Sequence, residues 1–178
     1  MHPPEAKVSD RDNWSRHWFG IRGCGAREPG SANASQAVAQ ADSVGRREVA
    51  LLLDIGSGQG DFLAMVVQSG VVRRCVGFEL SEVGVSISRA KVPTATFHRV
   101  DLFAPPAEIS YLENEADVVV CSEVIEHVDD PVGFCRLIRS YLKFGGRLLV
   151  TVPAGPMSAF VLYRASASLR PHLYHAGT

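Results

Sequence analysis

Residues 51–63 read LLLDIGSGQGDFL, and this stretch decides the fold. An apolar run ends in an acid, Asp54, and three glycines follow at alternate positions, Gly56, Gly58 and Gly60. A chain with this pattern leaves a buried strand, bends sharply beneath a ligand and enters a helix. Glycine suits such a bend because it takes positive φ readily and lets a ligand approach the backbone. The acid ahead of the first glycine disfavours a pyrophosphate, which a carboxylate repels, and favours an amine or a hydroxyl. A dinucleotide bend wants G-x-G-x-x-G. Counted from Gly56, its third glycine would fall on Asp61.

Outward from the bend, strand and helix patterns alternate. Val49–Asp54 reads as a first strand and Gly60–Gln68 as a helix. Arg74–Glu79 is a second strand, and Ser81 is a good cap for a helix to Lys91. Thr94–Val100 is a third strand, and Ala107–Glu113 a short helical piece after Pro105 and Pro106. Ala116–Cys121 is a fourth strand, apolar almost throughout, as strands buried on both faces are. Pro131 opens a helix to about Leu142, Gly145 and Gly146 end it, and Arg147–Val152 is a fifth strand.

Alternation of this kind predicts an α/β fold, a parallel sheet with helices on both faces. Ligands of such sheets sit beyond the C-terminal strand ends. Asp54, Glu79, Asp101, Cys121–Glu123 and Pro153 all fall at such ends. Glu79 can accept hydrogen bonds from both hydroxyls of a ribose. Asp101, in HRVDLF, can accept from an adenine amino group with Leu102 packed on the ring, or it can cap a turn.

The 178 residues suffice for one domain with a sizeable core. A composition of 46% hydrophobic and 21% charged residues is that of an ordinary globular chain. The net charge of −1 gives no electrostatic case for nucleic acid or membrane. Cys24, Cys75, Cys121 and Cys135 form no C-x-x-C pair, and two of them lie in apolar runs, which fits buried thiols in a reduced, cytoplasmic compartment. The N-terminal MHPPEAKVSDRDNW has no apolar signal core, and no run approaches the roughly 20 apolar residues of a membrane helix.

As a set, LLDIGSGQGDF, VGFELS, HRVDLF, ADVVVCSEVIEHVDDP and LKFGGRLLVTVP resemble the successive motifs of class I S-adenosylmethionine (AdoMet) dependent methyltransferases, over about 49–153. The resemblance implies a Rossmann-like sheet with AdoMet at the strand tips. Asp54, Gly56, Ser57, Gly58 and Gly60 would then lie near the methionine part. Glu79 and Leu80 would take the ribose, Asp101 and Leu102 the adenine, and Ser122 would border the methionine and the substrate entrance. Methyl transfer is an in-line displacement at a sulfonium methyl, so the leaving group needs no acid. Catalysis is then largely positioning, with a base only where the acceptor loses a proton. Glu123 and His127 are the expected catalytic pair, His127 as base.

The run Glu123-Val-Ile-Glu126-His127 also resembles the metal-binding cluster of ubiquinone-pathway O-methyltransferases and small-RNA 2′-O-methyltransferases. Two carboxylates and an imidazole can hold a divalent ion that acidifies an acceptor hydroxyl. The same pattern occurs in members with no known metal, where it lines the substrate mouth or caps a turn. The expected site set contains no metal ligand.

Three regions are expected: a loose arm over 1–31, the AdoMet-binding domain over 32–153 and an atypical tail over 154–178. A short helix through Ser35–Arg46 opens the domain. Trp14, Trp18 and Phe19 either pin the arm or, as in relatives, close over AdoMet. The family's usual sheet order is 3-2-1-4-5-7-6, and about 25 residues after the fifth strand are too few for strands 6 and 7 with their helix. The fifth strand is therefore expected to present an open apolar edge, which invites self-association or cover by a tail helix near Ser158–Leu169. One permitted codon set for Tyr163–Arg170, read one base later, restores a family-like ending, so a frame-shifted terminus is also expected. The functional expectation is methyl transfer to an unidentified small molecule through O, N or C. The alternative is a truncated, non-catalytic AdoMet-binding remnant. Neither membrane nor nucleic acid is an expected partner.

Overall fold

The computed structural model describes residues 49–154, 157–164 and 172–175, with side chains to Val152. The N-terminal arm with its tryptophans, the Ser35–Arg46 helix and Cys24 lie outside the described residues. Five parallel strands form the body of the sheet: β1 (Val49–Ile55), β2 (Val72–Glu79), β3 (Thr96–Arg99), β4 (Ala116–Ser122) and β5 (Leu142–Ala154). Two antiparallel strands, β6 (Met157–Arg164) and β7 (His172–His175), extend it, in the order 3-2-1-4-5-6-7. The helices are α1 (Asp61–Ser69), α2 (Glu82–Lys91) and α3 (Pro131–Tyr141), with short 3-10 helices at Ala107–Leu112 and Ile125–His127.

Local chemistry sets the helix ends. Gly60 enters α1 at φ 80° and Gly70 leaves it at φ 69°, a conformation that excludes most side chains. The Ser81 hydroxyl accepts from the Gly84 amide to start α2, and Asp130 accepts from Gly133 at 2.8 Å to start α3, with Pro131 in its first turn. Alternation along the strands then splits the core in two. Leu51, Leu53, Ile55, Val76, Phe78 and Val119 meet Phe134, Ile138 and Tyr141 on the α3 face. Leu52, Cys75, Val118 and Val120 meet Phe62, Leu63, Val66, Val85 and Phe97 on the other. Each fully buried Leu or Phe of this kind contributes about 1.5–3 kcal/mol relative to exposure. Cys75 and Cys121 are free and buried, as expected.

Two expectations are corrected. Gly145 and Gly146 do not stop the helix; α3 ends at Tyr141, and β5 begins at once with Leu142 paired to Ala116. The glycines lie inside β5, where pairing skips before resuming at Val118–Arg147. Gly145 takes φ 79° there, and a Cβ on Gly146 would come within 2.8 Å of the Ala116 carbonyl oxygen. Nor is the β5 edge open. The 7-6 arrangement usual in the family is indeed not formed, but the described part of the expected tail helix, up to Arg164, is strand, and β6 pairs antiparallel along β5 from Ala154–Met157 to Arg147–Arg164. An edge of unpaired amides and carbonyls is satisfied by the next extended segment of the same chain, which removes the reason for expecting self-association there. Among the described residues, no helix is long and apolar enough to cross a membrane.

Candidate functional site

The glycine bend at the tip of β1 is tied to β2. The amides of Gly56 and Ser57 both donate to the Phe78 carbonyl, at 2.8 and 2.9 Å, and the Gly60 amide donates to that of Ser57. All three glycines have positive φ, at 73°, 54° and 80°. Glu79 then locks the bend from the neighbouring strand: Oε2 accepts from the Gly58 amide at 2.9 Å and Oε1 from the Ser81 amide at 2.7 Å. One carboxylate thus fastens the β1–α1 bend to the start of α2 and has acceptor capacity left on each oxygen. Burial pushes its pKa up, and the amides of Ser81, Gly58 and Leu80 draw it back.

Asp54 sits in register with Gly77, so Asp54, Gly77 and Glu79 share one face of the sheet. Asp54 is 3% exposed. Burial first, and the Glu79 charge second, push its carboxyl well above the usual range, and no hydrogen bond from a described residue offsets them. The Ser57 hydroxyl is buried with no partner among the described residues, and it lies 2.7 Å from where a Cβ on Gly77 would sit. Its side chain therefore packs against β2, and the backbone of Ser57 forms the bend.

Leu80 is half-buried, and its carbonyl accepts from Arg99 Nε at 3.2 Å. Asp101 Oδ1 accepts from the Phe103 amide at 3.0 Å, the turn-capping geometry, while Leu102 is buried in the α3-side core. At the tip of β4 the Ser122 hydroxyl lies 2.6 Å from that of Thr151, which donates to Glu123 Oε1 at 3.2 Å. The Glu123 amide donates to the Thr151 carbonyl at 3.1 Å, and Glu123 itself takes φ 55°, uncommon for a non-glycine residue. His127 Nε2 lies 3.8 Å from Glu126 Oε1. The Glu123 carboxylate thus engages Thr151 while that of Glu126 faces His127. Among the described residues, no three acids, histidines or cysteines are grouped to hold a metal ion.

A family model described as a methyltransferase domain matches residues 33–175. The chain belongs to that family. This methyltransferase domain is 30% identical over 139 residues to a ubiquinone biosynthesis O-methyltransferase of Leptothrix cholodnii, covering 76% of this chain and 58% of that protein. It is 31% identical over 102 residues to a probable S-adenosylmethionine-dependent methyltransferase of Mycolicibacterium smegmatis, covering 57% and 37%. The chain thus spans little more than half the length of the first of these relatives. Among solved structures it resembles the plantazolicin methyltransferase BamL in complex with a triazolic desmethylPZN analog and S-adenosylhomocysteine (SAH). The TM-score is 0.66 at 16% identity, over 79% of this chain and 52% of that one. It also resembles the [4+2]-cyclase SpnF, at TM-score 0.54 and 24% identity, over 70% and 47%. At these identities the likeness establishes the class I methyltransferase fold.

Sequence reasoning passed over two residues that the methyltransferase domain brings into this site. Thr151 joins Ser122 and Glu123, and its only signal was its place at the tip of β5, in TVP. Gly77 leaves room for Ser57 and Phe97 between the two acids, and nothing local marked it apart from its position two residues before Glu79.

Proposed function

We propose that this domain binds AdoMet across the tips of β1 to β4 and transfers its methyl group to a hydroxyl of a small molecule. The observation that carries the reading is Glu79, buried, braced on the amides of Gly58 and Ser81 and still able to accept from two vicinal hydroxyls. In this reading the bend 54–60 cradles the methionine part, Glu79 with Leu80 takes the ribose, and Asp101 with Leu102 the adenine. Ser122 stands between cofactor and acceptor. The names of the ubiquinone-pathway relatives favour oxygen as the acceptor atom. A hydroxyl acceptor must lose a proton as it attacks, and His127, with half of its side chain exposed beside Glu126, is the base this reading assigns. Glu123, pinned to Thr151, orients the acceptor.

When bound, AdoMet supplies the methyl group and a sulfur leaving group. The chain's own task is alignment: the bend and Glu79 hold the nucleoside, and the β4 tip presents the acceptor in line. The test has two parts. Titration calorimetry with SAH should show one site, and NAD should give no heat of binding. Radiolabelled methyl transfer into a metabolite extract should then yield a labelled product, lost in His127→Ala. SAH binding without any labelled product would favour a non-catalytic AdoMet-binding remnant.

A further inference from the structure

Two carboxyls from adjacent strands share one face of the sheet with only Gly77 between them, and their surroundings differ. Each Glu79 oxygen receives a backbone amide, so its charge is supported. Asp54 is more deeply buried and receives no hydrogen bond from any described residue. The titratable groups around it bring no positive charge: Glu79 and the Cys75 thiol from β2 on its own face of the sheet, and the Cys121 thiol of β4 on the opposite face. Burial pushes both thiols up, Cys75 to about 11, so they are neutral at physiological pH. At the start of α1, Asp61 is already paired with Lys91 at 3.0 Å. Two like charges so close in a low-dielectric pocket do not both ionise readily, and the proton goes to the partner without donors.

We propose that Asp54 holds a proton while the site is empty and releases it when a cationic nucleoside enters, so that this residue selects its ligand by charge. The proposal rests on the AdoMet reading above. The carboxyl O–H bond breaks, the proton passes to the buffer, and the carboxylate left behind faces the ligand's positive charge. The neutral acid and a ligand of net charge +1 thus give a neutral pair and one free proton. A neutral nucleoside gives Asp54 no reason to ionise and binds without proton release.

The test is calorimetric titration of the whole chain with AdoMet and with 5′-methylthioadenosine. The latter keeps the nucleoside and a neutral sulfur but lacks both the sulfonium and the ammonium group. Each is run in buffers of different ionisation enthalpy, at steps between about pH 5 and pH 8. Linkage makes AdoMet affinity rise by up to about tenfold per pH unit while Asp54 is protonated in the empty site, then level off. Close to one proton is released on the rising part, and none with the neutral nucleoside. Asp54→Asn should bind AdoMet more weakly, with flat pH dependence and no release. Absence of release with AdoMet, equal release with both ligands, or release that persists in Asp54→Asn would overturn the proposal. Should the variant not fold, the comparison of the two ligands on the unaltered chain decides. Failure of both ligands to bind would instead remove the AdoMet reading itself, and the inference with it.

Discussion

Glu79 takes an amide on each oxygen, so its removal strands two buried donors as well as losing the proposed ligand contact. Each stranded donor costs about 1–3 kcal/mol. Glu79→Ala should therefore lower the melting temperature and weaken SAH binding by at least about tenfold, measured by calorimetry; unchanged affinity would take Glu79 out of the site. Asp54 acts on stability in the opposite sense. Its folded pKa lies well above its ordinary value, so the folded state keeps a proton that the unfolded chain has lost. Stability of the empty protein then falls as pH rises from about 4 towards that folded pKa, by at most about 1.4 kcal/mol per pH unit for this group. Asp54→Asn should lack this share of the slope and, without ligand, be more stable than the natural chain at neutral pH, as urea unfolding at several pH values would show. Glu79 and Asp54 were both legible as candidate site residues because an acid at a strand tip is a local signal. Their unequal surroundings were not, since these depend on burial and on the Gly58 amide, which comes from a loop 21 residues away. Thr151 was hidden for a similar reason: its partners, Ser122 and Glu123, stand 29 and 28 residues away.

The helices were read well where the chain punctuates itself. Ser81, Asp130 with Pro131, and Gly70 each act within a few residues, so their chemistry is visible without a neighbour. Asp130→Ala should remove the α3 cap and destabilise the fold by about 1 kcal/mol in urea unfolding. Gly60→Ala should do more. The new Cβ would lie 2.9 Å from that of Ser88 and 3.3 Å from Phe97, at a φ of 80° that alanine resists. A loss of about 2–3 kcal/mol is expected, along with weaker SAH binding, because the bend and α1 shift together. The elements misread were those set by pairing. A Gly-Gly after an amphipathic run looks like a helix stop, yet Leu142 is claimed by Ala116, and the glycines serve a strand irregularity instead. The segment Met157–Arg164 carries the short apolar run Phe160–Tyr163, which by itself does not separate strand from helix. It is extended because β5 offers an unpaired ladder beside it.

At the scale of the molecule, the five parallel strands fix where ligand chemistry can occur, and β6 with β7 finishes the sheet beside them. Ending the chain at Ala154 should expose the β5 edge. Such a chain is expected to self-associate, seen as a rise in mass by light scattering, whereas a monomer of unchanged stability would show that β6 contributes nothing. The alternation of short apolar runs and helices made a parallel sheet legible, whereas the order 3-2-1-4-5 of its strands was expected only from the family resemblance and is the order found. The last two strands were not legible at all, because about 25 residues looked too few for them and their extension depends on pairing with β5. The central claim is that the carboxylate-led bend 54–60, braced by Glu79, holds a sulfonium nucleoside and its demethylated product. Titration calorimetry of the purified chain with SAH tests it most directly. One site per chain with a dissociation constant in the micromolar range, about 8 kcal/mol of binding free energy, is predicted. Folded protein that gives no heat of binding with about 1 mM SAH, a concentration at which even a 4 kcal/mol interaction half-fills the site, would contradict it.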